Sequence, residues 1–349
     1  MRTSFLCRIT RLKTTKLWWN YLLLFTVLLA LTFISMFLGR YPISPEQIAE
    51  ILKAKLLYSE QAVFDPVSTV FMDIRLPRII AALLIGAALS ISGAVYQGIF
   101  KNPMVSPDIL GASAGAGFGA ALAILFSWGM QGIHIVSFVC GLLAVFITYF
   151  ISSRIKIGDS SLVLVLTGIF VGTIFSSLIS LFKAVADPYN KLPAITYWLM
   201  GSLVPIKWSS IKLMILPIII SSIVLYLLRW HLNIVSFGDE EAQALGVDTG
   251  KLRIIVIFCA TLLTTSAVAV SGMIGWVGLV IPHLARAFIG PDYQNLLPVS
   301  ILMGGSFLLL VDTMARSLLP MEIPLGILTS LIGAPFFLYL LTRTRRGWG

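Results

Sequence analysis

The chain has 349 residues, of which 58% are hydrophobic and 11% are charged, and its mean hydropathy is +0.96. A soluble domain carries about 25% charged residues, so this composition excludes a disordered chain and argues against a soluble globule. The formal charge of +10 comes from basic residues at the ends of apolar runs and forms no stripe that would bind nucleic acid. We therefore predict an all-α polytopic membrane protein in a lipid bilayer, with no nucleic-acid partner.

The apolar runs predict ten transmembrane helices, since a spanning helix needs about 20 apolar residues. The run over 254–282 is too long for one span and contains three glycines. We therefore divide this region into a full helix and a shorter one. The predicted spans, in chain order, are 17–38, 79–100, 109–127, 130–153, 161–182, 208–228, 252–271, 277–289, 293–311 and 323–342.

The two termini are predicted to lie on the same side of the membrane. The first apolar run is too long for a cleaved signal peptide and lacks a small-residue cleavage site, so we retain it as a helix. Residues 1–16 and 343–349 are both basic, and we assign both to the cytoplasm. Termini on one side require an even number of spans. Residues 17–342 then form a single transmembrane domain.

A weak internal repeat relates the two halves of the chain. Both halves contain an apolar helix followed by a Ser-Gly pair, a proline and a glycine: Ser92, Gly93, Pro103 and Gly111 correspond to Ser271, Gly272, Pro282 and Gly290. The equivalent helices are five spans apart, so the copies, about 75–185 and 252–342, have opposite orientations. Inverted repeats are typical of transporters, whose pathway lies at the repeat interface. Two similar glycine-containing helices are the alternative interpretation.

Small residues line one face of the third predicted helix. Gly111, Gly115 and Gly119 recur at every fourth position, with an alanine beside each. A face almost without side chains lets a neighbouring backbone approach closely. We predict that these glycines serve helix packing rather than ligand binding.

Residues 231–251, hereafter the coupling segment, contain the longest polar stretch between spans on the predicted cytoplasmic side. It contains three consecutive acids, which oppose the positive-inside trend: Asp239, Glu240 and Glu241. We predict a short helix with Asp239 as its N-cap and Gly246 at C′. Such a helix is a candidate docking element for a soluble partner, and a solvated connector is the alternative.

The sequence contains no recognisable catalytic or metal site. The segment 246–251 lacks the glycine spacing and the Ser/Thr of a phosphate loop, so any ATP hydrolysis belongs to another subunit. The three histidines and three cysteines are far apart, which excludes a histidine array, a metal-ligand spacing and a disulfide framework. We predict that this chain is not an enzyme and binds no metal and no cofactor.

Several arginines lie on the predicted outer face, although basic residues usually favour the cytoplasmic side. Arg75 and Arg78 introduce the second span. Near the end of the ninth span, Asp312 and Arg316 are four residues apart and can pair. The cluster suits an acidic partner outside the membrane. Anchoring to lipid headgroups, together with one structural ion pair, is the alternative.

Five motifs occur in order from about residue 70 to the C-terminus. They are Arg75-Leu-Pro-Arg78 with Ser-x-Ser-Gly-Ala-x-x-Gln97, Lys101-Asn-Pro-x3-Pro107-x3-Gly111, Gly238 to Gly246, Gly272-x5-Gly278-Leu-Val-Ile-Pro-His283-x-x-Arg286, and Pro324-Leu-Gly-x6-Gly333-Ala-Pro335. Together they resemble the permease subunits of iron-siderophore, haem and vitamin B12 ABC importers.

The resemblance implies a type II ABC importer fold with ten helices per subunit. It also implies a second permease subunit (a copy or a paralogue), two cytoplasmic ATPases that bind ATP, an extracytoplasmic substrate-binding protein, and the cytoplasmic membrane of a prokaryote. By motif, Arg75, Arg78 and Arg316 dock the binding protein. Ser160 and Ser161 fall at a cytoplasmic gate. The ATPase receives these residues of the coupling segment: Asp239, Glu240, Glu241, Ala242, Gln243, Leu245 and Gly246.

The resemblance further implies import of a metal chelate. A ferric siderophore is the first candidate, with haem, cobalamin or an oxyanion as alternatives. An ion-coupled secondary transporter is a rival, but it normally needs ionisable groups at mid-membrane, and the centres of the predicted spans hold almost none. An intramembrane enzyme is a weaker rival because paired carboxylates and a Ser/His constellation are lacking.

Overall fold

The computed structural model describes residues 2–39, 41–57, 66–155 and 160–343, and in these ranges the chain forms helices and no strand. The helices are α1 (Arg2–Phe37), α2 (Pro45–Leu57), α3 (Pro66–Thr69), α4 (Leu76–Ile99), α5 (Ala112–Leu125), α6 (Gly129–Arg154), α7 (Ser160–Val185), α8 (Lys191–Leu199), α9 (Trp208–Leu227), α10 (Arg229–Phe237), α11 (Asp239–Ala244), α12 (Thr249–Ser271), α13 (Val277–Ile289), α14 (Tyr293–Ser317) and α15 (Leu325–Arg343).

Two irregular helical segments accompany the regular ones. A π-helix, Val70–Arg75, leads into α4, and a 3-10 turn, Pro107–Leu110, precedes α5. From Arg2 onward, the predicted basic N-terminus belongs to α1. The predicted C-terminal tail lies outside the described residues beyond Arg343.

In the described part of the chain, seven helices are long and apolar enough to cross a bilayer: Leu17–Phe37, Pro66–Ile99, Gly129–Arg154, Ser160–Val185, Trp208–Leu227, Thr249–Ser271 and Tyr293–Ser317. Three shorter apolar helices accompany them: Ala112–Leu125, Val277–Ile289 and Leu325–Tyr339. Each of these segments coincides with one predicted span. The prediction of an all-α polytopic membrane protein with about ten apolar helices is confirmed.

The long apolar run after α11 divides where the sequence predicts. Gly272 has φ +72 and ends α12, and the next helix starts after Trp276, which also has a positive φ of 71°. An added Cβ at Gly272 would lie 2.2 Å from the carbonyl oxygen of Trp198. Glycine is therefore required there for both its conformation and its size.

Helices α4 and α12 form the centre of the bundle, and 78% of the most apolar stretch of each is buried. The hydroxyls of Ser92 and Thr264 lie 2.8 Å apart, and those of Tyr96 and Thr261 lie 3.0 Å apart. Residue numbers fall along α12 as they rise along α4, so the two helices run antiparallel. These hydroxyl pairs satisfy polar groups that are buried between apolar helices.

Helix α14 packs on another face of α4 through a pair of glycines. An added Cβ at Gly86 would lie 2.2 Å from the carbonyl oxygen of Gly304, and one at Gly304 would lie 2.3 Å from that of Gly86. The two backbones therefore touch, and any larger residue would force them apart.

The inverted repeat stays a prediction, but two observations support it. The helices that the repeat equates, α4 and α12, pack antiparallel at the centre. Gly111 and Gly290, also equivalent, both have positive φ, at 84° and 95°. The correspondence is incomplete, because Gly93 lies inside α4 whereas Gly272 ends α12.

The bundle has two ends, which we name by their charged residues. The arginine end is where α4 begins, and there Arg78 contacts the last turns of α14. The coupling end is where α4 finishes, and there Lys101 lies close to Asp239 at the start of α11.

Helices at the periphery expose apolar side chains, as expected for a lipid-facing surface. Only 6% of the apolar stretch of α1 is buried, and 33% of the corresponding stretches of α6, α7 and α9. Trp18 and Trp19 are exposed near one end of the apolar part of α1, the position of an aromatic belt.

Candidate functional site

The coupling segment folds into two short helices, α10 and α11, at the coupling end. Helix α11 ends in a Schellman motif: the N–H of Gly246 donates to the carbonyl of Gln243, and the N–H of Val247 donates to that of Ala242. Gly246 has φ +80, the left-handed conformation of a C′ glycine. The predicted short helix with Gly246 at C′ is therefore present.

One face of α11 is anchored and the other is open. Ala242 and Val247 are buried in the main hydrophobic core. The remaining predicted contact residues of α11 and its C-terminus, apart from Asp239, are exposed: Glu240, Glu241, Gln243, Leu245 and Gly246. The result is a rigidly capped helix that presents two carboxylates at its N-terminus and an exposed leucine at its C-terminus.

Asp239 does not cap α11, as the sequence predicts, because Gly238 occupies the N-cap position. Its carboxylate instead accepts a hydrogen bond from Arg253 of α12 at 2.9 Å, and Lys101 lies 3.8 Å from its other oxygen. The capping role belongs to the next helix, where Asp248 accepts from the backbone N–H of Lys251. That hydrogen bond lowers the pKa of Asp248.

Arg253 also connects the coupling segment to the predicted gate. Its Nη1 donates to the Ser160 hydroxyl at 2.7 Å, while its Nη2 binds Asp239. Ser160 is exposed at the first position of α7, and Ser161 follows it, partly buried. Sequence reasoning missed Arg253, because residues 93 apart from one another in the chain share no local pattern.

The arginine end holds a buried network of charges. Arg78 places Nε 2.8 Å from Asp312 and Nη1 2.8 Å from Glu322. Arg316 lies 3.7 Å from the second oxygen of Asp312 and donates to the carbonyl of Ser35 at 2.6 Å. Asp312 is completely buried and both arginines nearly so. The predicted pairing of Asp312 with Arg316 is present.

Arg75 is buried separately from this network. It donates to the carbonyls of Met36, at 2.6 Å, and Phe37, at 3.2 Å, and to that of Tyr41. It therefore ties the chain after α1 to the start of α4. The three arginines are not the exposed cluster that the sequence suggests, because each is engaged within the chain.

Glu322 and Ser35 are the members of this network that the sequence did not reveal. Glu322 lies in the connection between α14 and α15, and Ser35 in the last turns of α1. Neither has a recognisable spacing relative to Arg78 or Arg316. The sequence signal that could have identified Glu322 is that the two arginines need acidic partners.

The predicted packing glycines contact two different helices. Added Cβ atoms at Gly115 and Gly119 would lie 2.6 Å and 2.4 Å from carbonyl oxygens of α6, those of Cys140 and Val136. Gly111 is not part of α5. It ends the 3-10 turn with φ +84, and the backbone of α7 is its nearest neighbour.

The motif residues Arg286 and Gln97 contact each other at the coupling end, and Tyr293, outside the motifs, lies beside them. Arg286 of α13 donates to the carbonyl of Ala94 at 3.0 Å and also binds Gln97 of α4. Tyr293 donates to the same carbonyl at 3.0 Å. These bonds hold α4, α13 and the start of α14 together, so this part of the motif set shapes the scaffold.

The described residues contain no cluster of His, Cys, Asp or Glu that could hold a metal ion. A mostly apolar cavity of about 510 Å³ opens near the arginine end, lined by residues of α5, α8 and α12 that include Ile124, Trp198 and Val270. The arrangement is that of a membrane scaffold with charged networks at both ends.

The sequence matches the FecCD transport family over residues 27–343. It is 43% identical to a molybdate import system permease of Haemophilus influenzae over 324 residues, covering 92% of this chain and 95% of the relative. It is 41% identical to an iron chelatin transport system permease of Helicobacter pylori, covering 88% and 93%.

A solved structure described as an inward-facing metal-chelate type ABC transporter superposes with a TM-score of 0.83 at 39% identity, covering 93% of this chain and 99% of that one. Both the sequence match and the fold therefore agree with the resemblance of the motifs. The chain belongs to the FecCD transport family, whose members are the multi-pass permease subunits of ABC importers.

Proposed function

We propose that this permease carries a metal chelate, with a ferric siderophore as the first candidate, across the cytoplasmic membrane of a prokaryote into the cytoplasm. ATP is bound and hydrolysed by a separate pair of ATPase subunits. The observation that carries this proposal is the capped and exposed helix α11 in a chain without a phosphate loop. Such a chain has a surface for an ATPase but no means of hydrolysing ATP itself.

The coupling end faces the cytoplasm in this proposal, and both termini lie on the same side. Basic residues are more frequent in the loops and termini assigned to that side, as the positive-inside rule expects for the cytoplasmic side. A cysteine at Gln243, tested with a membrane-impermeant thiol reagent on intact cells and on inverted vesicles, checks the orientation. Labelling in intact cells would contradict it.

The ATPase groove receives α11, with Glu240, Glu241, Gln243 and Leu245 at the contact. Movement of α11 acts on the start of α7 through Arg253, because its guanidinium binds both Asp239 and Ser160. A rigid planar fork suits this role, since it fixes the direction of two hydrogen bonds. Ser160 and Ser161 then form the gate.

Transport in reconstituted vesicles tests the import function. The chain is assembled with its cognate ATPase and binding protein, and uptake of ⁵⁵Fe-labelled chelates is compared with ATP and a non-hydrolysable analogue. We expect uptake in the presence of ATP and no uptake in the presence of the analogue. Equal uptake with the analogue, or ATP hydrolysis by the purified chain, would overturn the proposal.

Molybdate is the second candidate cargo, because the Haemophilus influenzae relative at 43% identity carries that name. An oxyanion and a bulky chelate differ in size, so the same vesicles distinguish them. Uptake of ⁹⁹Mo-molybdate without uptake of any iron chelate would assign the chain to oxyanions and leave the ATP-driven mechanism intact. Haem and cobalamin are tested in the same way.

Docking of an extracytoplasmic binding protein at the arginine end is also proposed. Arg75, Arg78 and Arg316 are engaged within the chain, so docking through them requires an exchange of partners. Glu322 is the partner that can be exchanged, because its side chain is 22% exposed whereas that of Asp312 is fully buried. An acidic residue of the binding protein then replaces Glu322 beside Arg78.

The functional unit contains two permease subunits, either two copies of this chain or this chain and a paralogue. Native mass spectrometry of the purified complex distinguishes the two arrangements. A complex with a single permease subunit would contradict both.

A further inference from the structure

A groove between α6 and α9, whose second half is also lined by α12, takes no part in the contacts described above. We call it the lateral groove. It consists of two chambers of about 540 Å³ and 450 Å³. Ile135 and Leu213 line both chambers, so the two spaces adjoin.

The first chamber, near the arginine end, is the more polar of the two and has no acidic residue in its lining. Its polar lining comes from the beginnings of α6 and α9: Gln131, His134, Lys207, Ser209 and Ser210. The N-terminus of α9 has no side-chain cap, so its first N–H groups lack a side-chain acceptor, while the N–H of Ser210 donates to the carbonyl of Lys207 at 3.0 Å. A lysine beside a helix N-terminus is an environment that favours an anion.

A buried histidine in this chamber points independently to a ligand. His134 is 4% exposed, yet within the described part of the chain its imidazole has no hydrogen-bond partner. Its ring nitrogens are not among the fully buried unpaired atoms of the described residues, so they remain accessible to a ligand in the chamber. In the second chamber the hydroxyl of Ser266 is buried and has no hydrogen-bond partner among the described residues. A bound molecule in the first chamber would supply a partner to His134, and a polar group at the junction of the chambers would be needed to reach Ser266.

The second chamber is apolar apart from Ser266. Its walls include Phe138, Leu216, Pro217 and Ile220. Leu216 and Ile220 are also exposed on the lipid-facing side of α9, so the chamber opens sideways to the membrane. Its shape and chemistry suit a hydrocarbon chain entering from the bilayer.

We propose that the lateral groove binds one anionic phospholipid. The phosphate lies beside Lys207 and the N-terminus of α9, His134 donates to a headgroup or glycerol oxygen, and one acyl chain fills the second chamber. Charge complementarity selects the anionic headgroup, and the adjoining apolar chamber selects a lipid over a free anion. A free phosphate would occupy the first chamber and leave the apolar second chamber unfilled.

Native mass spectrometry of the full-length chain, purified in detergent, tests this proposal. Phosphatidylglycerol and phosphatidylcholine with identical acyl chains are titrated separately. We expect phosphatidylglycerol to bind more tightly, and Lys207→Glu to weaken it about tenfold, since one charge-assisted hydrogen bond is lost and a repulsion is added. Lys183→Glu, on the last turn of α7 away from the groove, is the matched control with unchanged binding.

His134→Leu and His134→Gln separate binding from folding. We expect weaker phosphatidylglycerol binding for the leucine variant, recovery in the glutamine variant, and a normal thermal midpoint in both. If His134→Leu does not fold, Lys207→Glu and His134→Gln still test whether the groove binds phosphatidylglycerol. Equal affinity of wild type and Lys207→Glu for phosphatidylglycerol would overturn the proposal.

Two further results would also overturn it. Displacement of bound phosphatidylglycerol by millimolar inorganic phosphate would assign the first chamber to a free anion. A dimer that buries the groove and excludes lipid would assign this face to a second copy of the chain.

Discussion

At the arginine end, Asp312 is fully buried between two arginines, whereas at the coupling end the side chain of Asp239 is 39% exposed beside Arg253. The two networks therefore differ in the cost of breaking them. A buried ion pair that loses one partner leaves an uncompensated charge in the protein interior. A partly exposed pair is solvated by water when it opens, and is worth about 0.2–1 kcal/mol.

The difference assigns different mechanical roles to the two ends. The arginine end joins α1, α4 and α14 through Asp312, which is fully buried, and two arginines that are almost fully buried, so this part of the network behaves as a fixed clamp. The coupling end joins α11, α12 and α7 through one guanidinium that can exchange partners at low cost. The proposed transport mechanism needs both, because movement at the coupling end has to act against a stable frame.

The largest expected effect comes from breaking the buried network. Asp312→Asn leaves Arg78 and Arg316 with Glu322 as the remaining carboxylate, and we expect a loss of about 3–5 kcal/mol of stability. The thermal midpoint of the purified chain measures it. Glu240→Gln, at an exposed carboxylate of the coupling end, is the control and should leave the midpoint unchanged. Equal midpoints for Asp312→Asn and wild type would show that the arginine end is not a clamp.

Gly246→Val is expected to abolish most uptake while the protein remains in the membrane. No atom lies within 4 Å of an added Cβ at Gly246, so the effect arises from the left-handed φ alone, at a cost of about 1–2 kcal/mol. Gly246→Asn is the matched variant, because asparagine tolerates this conformation, and it should retain uptake. Uptake and membrane content are measured together. Normal uptake by the valine variant would reduce the coupling segment to a connector.

Opening the exposed network is expected to affect coupling more than stability. Arg253→Lys and Asp239→Asn should leave the thermal midpoint close to wild type, while ATP hydrolysed per cargo imported rises about two- to fivefold. The double variant should hydrolyse no more ATP per cargo imported than either single variant, because both substitutions remove the same contact. Fully additive losses would show that the two side chains act independently.

The smallest expected effect is at Glu322. Glu322→Gln removes the exchangeable partner of Arg78, and we expect a modest loss of stability and faster association with the binding protein at low salt. High salt should reduce that gain, since the charges act on encounter. Unchanged association together with a lower midpoint would limit the pair of Arg78 and Glu322 to a structural role. Glu50→Gln on α2 is the control, because that carboxylate is exposed.

The membrane class and the helix positions could be read from the sequence because they depend on local properties. Apolar length sets a span, and Gly272 divides α12 from α13 through its own backbone conformation. The C′ role of Gly246 was predictable for the same reason. The N-cap prediction for Asp239 was wrong, because Gly238 precedes the helix and Arg253, fourteen residues later, binds the carboxylate.

The sequence by itself determined an all-α bundle of about ten apolar helices, a short capped helix in the coupling segment and the absence of a phosphate loop. The tertiary structure decided which charges are buried. Arg78 and Asp312 are 234 residues apart, and the packing of α4 against α14 brings them together and excludes water. It also decided that Arg253 joins the coupling segment to α7, and that α6 and α9 leave a groove between them. Such features depend on which helices become neighbours, and no local spacing encodes that.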